Sequence, residues 1–562
     1  MSVVVANAAS PLSGFVPAKP GVNVTPVNCV DTVASSASPL KSIRTALARV
    51  ASAAIFVKPA AIDAVRRARY NGTMNRFLAL DMGAESGRGV IGVVDAAHET
   101  VSLEEVHRVP TGAVRLGDAL HWDLPRIALE MGVILGKATE EGTLAGIGVD
   151  TWGVDYGLID ARGGLVGLPF HYRDRRTEGI IEQVYEVVSR AAVYARTGTQ
   201  TISINTLFQL AAAAKTAPRL FDAADTLLMM PDLLHFYLTG TAKSEFTIAS
   251  TTQLYDAARG EWATEIADAI GFPARLLPPV APDGTGYGVT LPHFGVGNIP
   301  VTAPGGHDTA CAVAAVPADG TGWAFLSSGT WSLLGVETAA PVRTQAALDA
   351  NMTNEGGVCG TNRLLKNIAG MWLVQECRRA YARLGSERSY EQLTRLAAEA
   401  MPLACFIDPD YPAFTAPDDM PRVIRERCIA TNQTPPEGIG ATIRCCLDSL
   451  GLKYRQILAQ LESLTGERIH TLHIVGGGSQ NRLLNQIAAD ATGRRVLAGP
   501  VEATALGNVL LQARSAGLLG TLADVRRFVR NSVRPEIYEP DATEMARFDA
   551  VYEIFTQDRG AG

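Results

Sequence analysis

Short apolar runs around glycine-containing turns mark the folded part of this sequence, and the first run lies at Phe77–Leu80. It ends in Asp81 and is followed by the turn Gly83–Arg88 and by a second apolar run, Val90–Val94. Two runs of strand length around such a turn predict a β-hairpin. Because glycine permits positive φ and exposes backbone N–H groups, the turn can bind an anion, although a plain hairpin fits the pattern equally well.

The same pattern recurs about 250 residues later in the chain. Trp323–Ser327 predicts a strand, Ser328–Ser332 a turn of glycine and small hydroxyl residues, and Leu333–Glu337 a second strand. Similar segments at such a distance indicate an internal duplication. We therefore expect two similar domains, each beginning with a phosphate-type hairpin, with a nucleotide between them.

Three further segments combine a strand with a glycine or Trp-Gly turn. They are Gly146–Asp160, with two strands around the turn; Pro300–Val316, in which the turn Pro304–Asp308 leads into a helix; and Leu472–Ala491, in which the turn Gly476–Asn481 leads into a helix. A strand, a glycine turn and a helix in this order place backbone N–H groups where a nucleotide can approach. Asp308 is expected at or near the N-cap of its helix.

Composition and charge exclude several classes of protein. The 562 residues are enough for about two to four domains, and their 47% hydrophobic and 19% charged content is that of an ordinary globular chain. The net charge of −7 disfavours a nucleic-acid partner. No apolar run of about 18 residues predicts a membrane span. The motifs of P-loop enzymes and of protein kinases are missing.

The eight cysteines include no CxxC pair, which argues against a zinc knuckle and against a disulfide-rich secreted scaffold. We expect free thiols and a cytoplasmic location.

Residues 1–73 differ in composition from the rest of the chain. They carry eight basic residues and only two acidic ones, whereas the remaining residues have a net charge of −13. We expect a disordered extension or a start codon placed too early, since Met74 directly precedes the first strong strand. An organellar transit peptide is the alternative.

The residues of these turns suit phosphoryl transfer, which needs donors for the phosphates, Mg²⁺ to neutralise them and a base for the acceptor hydroxyl. Asp308 is the candidate base, and a simple helix cap is the alternative role. Asp81, at the end of the first strand, is the candidate for holding Mg²⁺ through water molecules.

Five motifs, taken together, resemble those of the FGGY carbohydrate kinases in order and in spacing. They are Asp81-x-Gly83-x-x-Ser86-Gly87-Arg88, Asp150-Thr151-Trp152-Gly153, Gly306-His307-Asp308-Thr309-Ala310, Ser328-Gly329-Thr330-Trp331-Ser332 and Gly476-Gly477-Gly478-Ser479-Gln480-Asn481. The likeness covers residues 74–545. Each motif alone is weak, and the five in order are specific.

This resemblance implies an α/β fold with two actin-like (ribonuclease-H-like) domains and an interdomain ATP cleft. The implied domains are 74–317, which binds the sugar and phosphate, and 318–545, which binds the nucleotide, with a tail at 546–562. The segments Asn354–Gly357 and Leu365–Trp372 resemble the branch of the family that phosphorylates L-rhamnulose at O1 with ATP and Mg²⁺.

Site residues follow from the same resemblance. Asp308 is the implied proton acceptor. The implied sugar contacts are Gly153, His307, Thr309 and Asn367, and the implied ATP contacts are Ala84, Glu85, Ser86, Gly87, Arg88, Thr330, Gln375 and Gly477. Glu85 departs from the family pattern, because an acid beside phosphate is unexpected where relatives often have a small hydroxyl residue.

Two alternative functions remain at this point. The first is another kinase of the same family, acting on L-fuculose, D-xylulose, L-ribulose or glycerol. The second is a non-catalytic actin-like ATP-binding protein, against which the presence of Asp308 argues. The sequence does not indicate an oligomeric state, and the expected partner is a small-molecule ketose.

Overall fold

The computed structural model describes residues 74–140, 142–415 and 417–557, which fall within one compact unit. The extension predicted over residues 1–73 lies outside the described residues. Among the helices in the described part of the chain, none combines the length and the apolar character that crossing a bilayer requires.

The strands are β1 (Met74–Met82), β2 (Ser86–Asp95), β3 (Thr100–Pro110), β4 (Ala113–Leu116), β5 (Ala119–Trp122), β6 (Gly146–Thr151), β7 (Tyr156–Ile159), β8 (Thr226–Met229), β9 (Ser244–Glu245), β10 (Tyr255–Asp256), β11 (Glu261–Trp262), β12 (Val280–Ala281), β13 (Gly286–Val289), β14 (Pro300–Thr302), β15 (Trp323–Ser328), β16 (Ser332–Thr338), β17 (Thr353–Gly356), β18 (Asn362–Ile368), β19 (Thr471–Val475), β20 (Arg495–Ala498) and β21 (Glu536–Tyr538).

The helices are α1 (Leu124–Glu140), α2 (Ile180–Val187), α3 (Arg190–Thr197), α4 (Thr206–Thr216), α5 (Arg219–Ala223), α6 (Met230–Thr239), α7 (Phe246–Ala249), α8 (Thr264–Ala269), α9 (Asp308–Ala314), α10 (Gln345–Asp349), α11 (Trp372–Arg383), α12 (Tyr390–Glu399), α13 (Met420–Ala430), α14 (Gly438–Thr465), α15 (Arg482–Thr492), α16 (Ala503–Ser515), α17 (Leu522–Ser532) and α18 (Ala542–Gln557).

Two large sheets repeat one topology. The first has the order β13-β14-β6-β1-β2-β3 and the second β17-β18-β16-β15-β19-β20-β21. In each sheet the first strand pairs on one side with its antiparallel hairpin partner, and that partner pairs with a third antiparallel strand. On the other side of the first strand lie two parallel strands. This repeated order confirms the predicted duplication, both predicted hairpins and the ribonuclease-H-like fold class.

The central strands bring acidic residues to one edge of the first sheet. β1 runs parallel to β6, with Leu80 opposite Val149 and Asp81 opposite Asp150. Both strands are buried nearly throughout, as expected for strands flanked on both sides. A bridge from Thr151 to His307 then places the start of α9 beside the same edge, because the carboxyl ends of neighbouring parallel strands meet there.

Helix α16 joins the two halves of the molecule. It comes late in the chain, yet it packs against β1, β6 and α9. Gln512 donates a hydrogen bond to the Leu78 carbonyl at 3.0 Å, and Asn508 donates one to the Asp150 carboxylate at 2.6 Å. The buried apolar core around α16 includes residues of both sheets, so the halves share one core at this position.

The predicted boundary at residue 545 falls inside α18. Phe548 and Phe555 of this helix are buried in the core of the second sheet. Residues 546–557 therefore pack with the second domain, whereas the prediction treated them as a tail.

Gly507 lets α16 approach α9 closely, because a Cβ at this position would overlap the backbone carbonyl of Cys311. We expect Gly507→Ala to lower the free energy of unfolding by about 1–3 kcal/mol and to disturb the start of α9, where Asp308 lies. Thermal or urea unfolding, with activity measured in parallel, checks this.

Gly132→Ala in α1 is the matched control, because a Cβ there would meet no atom within 4 Å. This variant should be more stable by about 0.5–1 kcal/mol, since alanine loses less entropy than glycine in a helix. Equal effects of the two substitutions would contradict the close approach of the helices.

Candidate active site

A cavity of about 1220 Å³ lies between the two sheets and is lined by residues from both halves of the chain. Twelve of the fourteen predicted site residues line it: Ala84, Glu85, Ser86, Arg88, Gly153, His307, Asp308, Thr309, Thr330, Asn367, Gln375 and Gly477. The structure thus brings together residues that are almost 400 positions apart in the sequence.

The first hairpin turn forms one wall of the cleft. Arg88 donates from Nε and Nη2 to Oδ2 of Asp81, at 3.0 and 2.9 Å, and also forms an ion pair with Glu502 of the second half. Asp81 and Gly87 are the two predicted residues that do not line the cavity. Gly87 packs against the Met82 side chain, and the carboxylate of Asp81 is buried under Arg88.

The second hairpin turn and the glycine turn after β19 form the opposite wall. They touch closely, because a Cβ at Gly478 would overlap the Ser328 side chain, while Gly477 faces open space. The buried Ser328 hydroxyl lacks a hydrogen-bond partner. Gln375 donates to the Thr330 hydroxyl at 3.3 Å. This wall therefore offers backbone N–H groups and hydroxyls to an anion.

Asp308 is the first residue of α9, one position past the N-cap His307. Its Oδ1 accepts hydrogen bonds from the Thr309 backbone at 2.5 Å and from the Thr309 hydroxyl at 3.1 Å. About 30% of its side chain is exposed to the cleft. Burial of the carboxyl raises its pKa, and the charge of Asp81 adds to this, whereas His307 acts in the opposite direction. A carboxylate of this kind is a stronger base than an ordinary aspartate.

A third acid, Asp150, faces the same edge of the sheet. One carboxylate oxygen accepts from Asn508, and the other is buried without a hydrogen-bond partner. Burial raises the pKa of Asp150 well above its usual range, and the neighbouring charges of Asp81 and Asp308 raise it further. An orphaned, buried carboxylate oxygen among three acids fits a hard cation such as Mg²⁺.

These acids are spaced too widely for direct ligation of one ion by all three. Among the described residues, the compact group of potential metal ligands is a different one, formed by Cys405, Cys428 and Cys445 in the core of the second domain. Contact of the acids with Mg²⁺ through water molecules fits this wider spacing.

The deeper end of the cleft combines polar amides with apolar rings. The Asn367 backbone donates to Oε1 of Gln200 at 3.1 Å, which ties β18 to the first half of the chain. Trp152 stacks on Trp122 with 3.7 Å between ring centroids, and both indole N–H groups donate to Asp155. Asp155 is buried and accepts both of these hydrogen bonds, and it thereby orients the ring of Trp152, which lines the cleft.

His307 is surrounded by charged residues of the second sheet. Nη2 of Arg363 lies 3.1 Å from Nδ1 of His307, and Oε2 of Glu355 lies 3.3 Å from the same nitrogen. On its other side, Nε2 of His307 is 3.4 Å from Oδ1 of Asp308. A chain of charged and polar groups therefore leads from the second sheet to the candidate base.

Sequence reasoning assigned no role to several residues that the structure places in or beside this cleft. They are Asp150, Gln200, Glu355, Arg363 and Arg379. Asp150 and Glu355 lie inside motifs that the sequence analysis quoted, so their acidic side chains were an available signal. Arg363, Gln200 and Arg379 lie in no motif, and only the fold brings them to the site.

Two family descriptions match this chain. The FGGY family of carbohydrate kinases, N-terminal domain, matches residues 77–315, and the C-terminal domain of the same family matches residues 324–516. A rhamnulokinase of Bacteroides thetaiotaomicron is 43% identical over 486 residues, which cover 85% of this chain and 98% of that protein. A rhamnulokinase of Pectobacterium atrosepticum is 40% identical over 499 residues, which cover 87% and 98%.

Solved structures share the fold at low sequence identity. A ligand-bound xylulose kinase from Lactobacillus acidophilus has a TM-score of 0.72 at 14% identity, covering 86% of this chain and 98% of that structure. Plasmodium falciparum glycerol kinase with ADP has a TM-score of 0.68 at 15% identity, with the same coverage. With both domain descriptions matched and close relatives covered almost end to end, the chain belongs to the FGGY family of carbohydrate kinases.

Proposed function

We propose that this chain transfers the γ-phosphoryl group of ATP to O1 of L-rhamnulose, giving L-rhamnulose 1-phosphate and ADP. The observation that carries the proposal is that residues of both phosphate-type turns and Asp308 line the same cavity. The choice of sugar rests on the relatives named rhamnulokinase, which this chain matches at 39–43% identity.

The reaction needs one proton transfer and one displacement. Asp308 accepts the proton of the O1 hydroxyl, O1 forms a bond to the γ-phosphorus, and the bond from that phosphorus to the bridging oxygen of ADP breaks. Thr309 holds the Asp308 carboxylate in place through two hydrogen bonds. Gly153, His307, Thr309 and Asn367 are the proposed sugar contacts.

ATP is proposed to lie across the two turns. Ala84, Ser86 and Arg88 face its phosphates from the first half, while Thr330, Gln375 and Gly477 contact it from the second. Gly87 supports this turn from behind the cleft wall. Contact with both halves makes binding of the nucleotide dependent on closure of the cleft, which keeps water away from the reacting phosphate.

Asp81 and Asp150 are the residues proposed to hold Mg²⁺ through water. When bound, the ion neutralises charge on the phosphates. The unpartnered oxygen of Asp150 supports this assignment. A cytoplasmic location, with a small-molecule ketose as partner, completes the proposal and accords with the free cysteines of the described residues.

Glu85 has a partner that accounts for an acid in the phosphate turn. Its Oε1 lies 3.0 Å from Nη2 of Arg379 on α11, and Arg379 also pairs with Glu376. Both side chains of the Glu85–Arg379 pair are about half exposed. The arginine neutralises the acid near the phosphates and links the two halves across the cleft mouth.

Turnover across a panel of ketoses tests the proposed function. We expect ADP release with L-rhamnulose and Mg·ATP to exceed that with L-fuculose, D-xylulose, L-ribulose or glycerol. Asp308→Asn should lower this rate by roughly 10²- to 10⁴-fold with ATP binding retained, because only the base is removed. Preference for another ketose would refute the choice of sugar, and ATP binding without stimulation by any ketose would favour a non-catalytic protein.

The pH dependence of kcat/KM for the ketose tests the base. Since the base acts ionised and burial raises its pKa, activity should fall as the pH drops through a value above about 4, the ordinary pKa of an aspartate. Full activity down to pH 4 would contradict this assignment. Intrinsic fluorescence at each pH serves as the control for unfolding.

Removing Arg379 should weaken ATP binding, because Glu85 would then face the phosphates unneutralised. We expect Arg379→Met to raise KM for ATP roughly five-fold, since an exposed charge pair is worth about 1 kcal/mol, and to leave KM for the ketose unchanged. Glu85→Gln added to this variant should restore the wild-type KM. Arg378→Met, one position away and paired with Glu387 instead, is the control.

A further inference from the structure

We propose that Glu355 is a further sugar-binding residue of this cleft and that Arg363 is the positioning residue that orients both Glu355 and His307. This inference rests on the proposed function, because it concerns the sugar end of the same site. It assigns to the second domain a direct part in recognising the ketose.

Glu355 and Arg363 are neighbours on an antiparallel strand pair. They lie directly opposite each other on β17 and β18. Arg363 is completely buried, and Glu355 is 4% exposed and lines the cavity. Charged residues are seldom buried so fully unless they are paired. Here the pair is buried at the place where the second sheet contacts His307 of the first half.

The contacts of Arg363 fix the arrangement. Its Nε donates to the Gly356 carbonyl at 3.0 Å, and its Nη2 lies 3.1 Å from His307 Nδ1 and 3.3 Å from Glu355 Oε2. A guanidinium can only donate hydrogen bonds, so Nδ1 of His307 is the acceptor and the ring proton is on Nε2. That proton faces the side of the ring where Asp308 lies, 3.4 Å away.

Two polar atoms of the pair are left without partners. Oε2 of Glu355 and Nη1 of Arg363 are buried and make no hydrogen bond among the described residues. Oε2 lies 3.3 Å from Nη2 of Arg363 and 3.3 Å from Nδ1 of His307, and neither contact has hydrogen-bond geometry. Leaving a buried charged oxygen unsatisfied is costly. A hydroxyl of a sugar in the cleft would supply the missing donor.

The surroundings keep Glu355 ready to accept such a bond. Burial alone would raise the pKa of the Glu355 carboxyl, but the neighbouring His307 ring and Arg363 guanidinium outweigh burial and lower it. An ionised carboxylate offers acceptor sites only. Sugar hydroxyls can donate to it, and charge-assisted bonds of this kind are stronger than neutral ones.

Kinetics of Glu355→Gln test the inference. We expect KM for the ketose to rise roughly 10- to 100-fold, as for loss of a buried hydrogen bond to a charged group, while KM for ATP changes less than two-fold. Glu337→Gln is the matched control. Glu337 also lies opposite Arg363, on β16, but pairs with Arg526 outside the cleft. A ketose KM unchanged in Glu355→Gln, or equal effects on both substrates, would overturn the proposal.

Variants of Arg363 separate positioning from a general structural role. Arg363→Met should raise the ketose KM as Glu355→Gln does, and the double variant should be no worse than the more affected single variant, because both act through one contact. Arg363→Lys should raise the ketose KM less than Arg363→Met does, because lysine keeps the positive charge although it lacks the planar guanidinium with its several donors. Additive losses, or no recovery with lysine in a protein of unchanged melting temperature, would overturn the positioning role.

The outcome is separable from that of the proposed function. If the wild-type enzyme prefers another ketose, the choice of L-rhamnulose fails and the same variants are measured with the preferred sugar. If no ketose supports turnover, calorimetric binding of L-rhamnulose to the wild type and to Glu355→Gln replaces kinetics. Weaker binding to the variant supports the inference, equal binding overturns it, and no binding to the wild type overturns both.

Discussion

The register of β1 against β6 is the constraint on which the active-site cleft depends. It sets Asp81 beside Asp150 at the end of two buried strands, and the bridge from Thr151 to His307 adds Asp308 to the same edge. Like charges brought together under burial repel one another, and this repulsion contributes to the raised pKa values of Asp150 and Asp308. Arg88 and Asn508 offset part of this cost, and a bound cation would offset more.

The same repulsion connects stability with catalysis. A cluster of acids whose charges are only partly neutralised favours the binding of a cation, and the repulsion makes one of the acids a stronger base. The support comes from outside the first half of the chain. Asn508 reaches Asp150 from α16, and Glu502, near the start of that helix, reaches Arg88. Residues of the second half of the sequence thus support the proposed catalytic edge of the first sheet.

The two ends of the cleft are linked across the domains by different chemistry. At the mouth, the partly exposed Glu85–Arg379 pair is solvated and can open at little cost. At the deep end, the contact of Arg363 with His307 is buried, and the pairing of Gln200 with Asn367 is partly buried. More exposed contacts at the rim and more buried contacts inside suit the proposed arrangement, in which ATP enters at the mouth and the sugar binds at the deep end.

Local sequence determined much of this architecture by itself. The apolar runs around glycine turns predicted both hairpins, the duplication and the strand before Asp308, because strand periodicity and turn chemistry act over a few residues. The five motifs also marked most of the residues that line the cleft. They could not predict the boundary of the second domain, since burial of Phe548 and Phe555 depends on a distant core.

Tertiary structure alone decided how the charges are compensated. Glu85 pairs with Arg379, Asn508 of α16 donates to Asp150, and Arg363 contacts His307. Each of these contacts joins residues that are dozens to hundreds of positions apart in the sequence. Which side chains meet across a cleft depends on how two sheets pack, and nothing in a short segment specifies that packing. The sequence therefore determined the parts of the site, and the packing of the two domains determined their charge balance and their orientation.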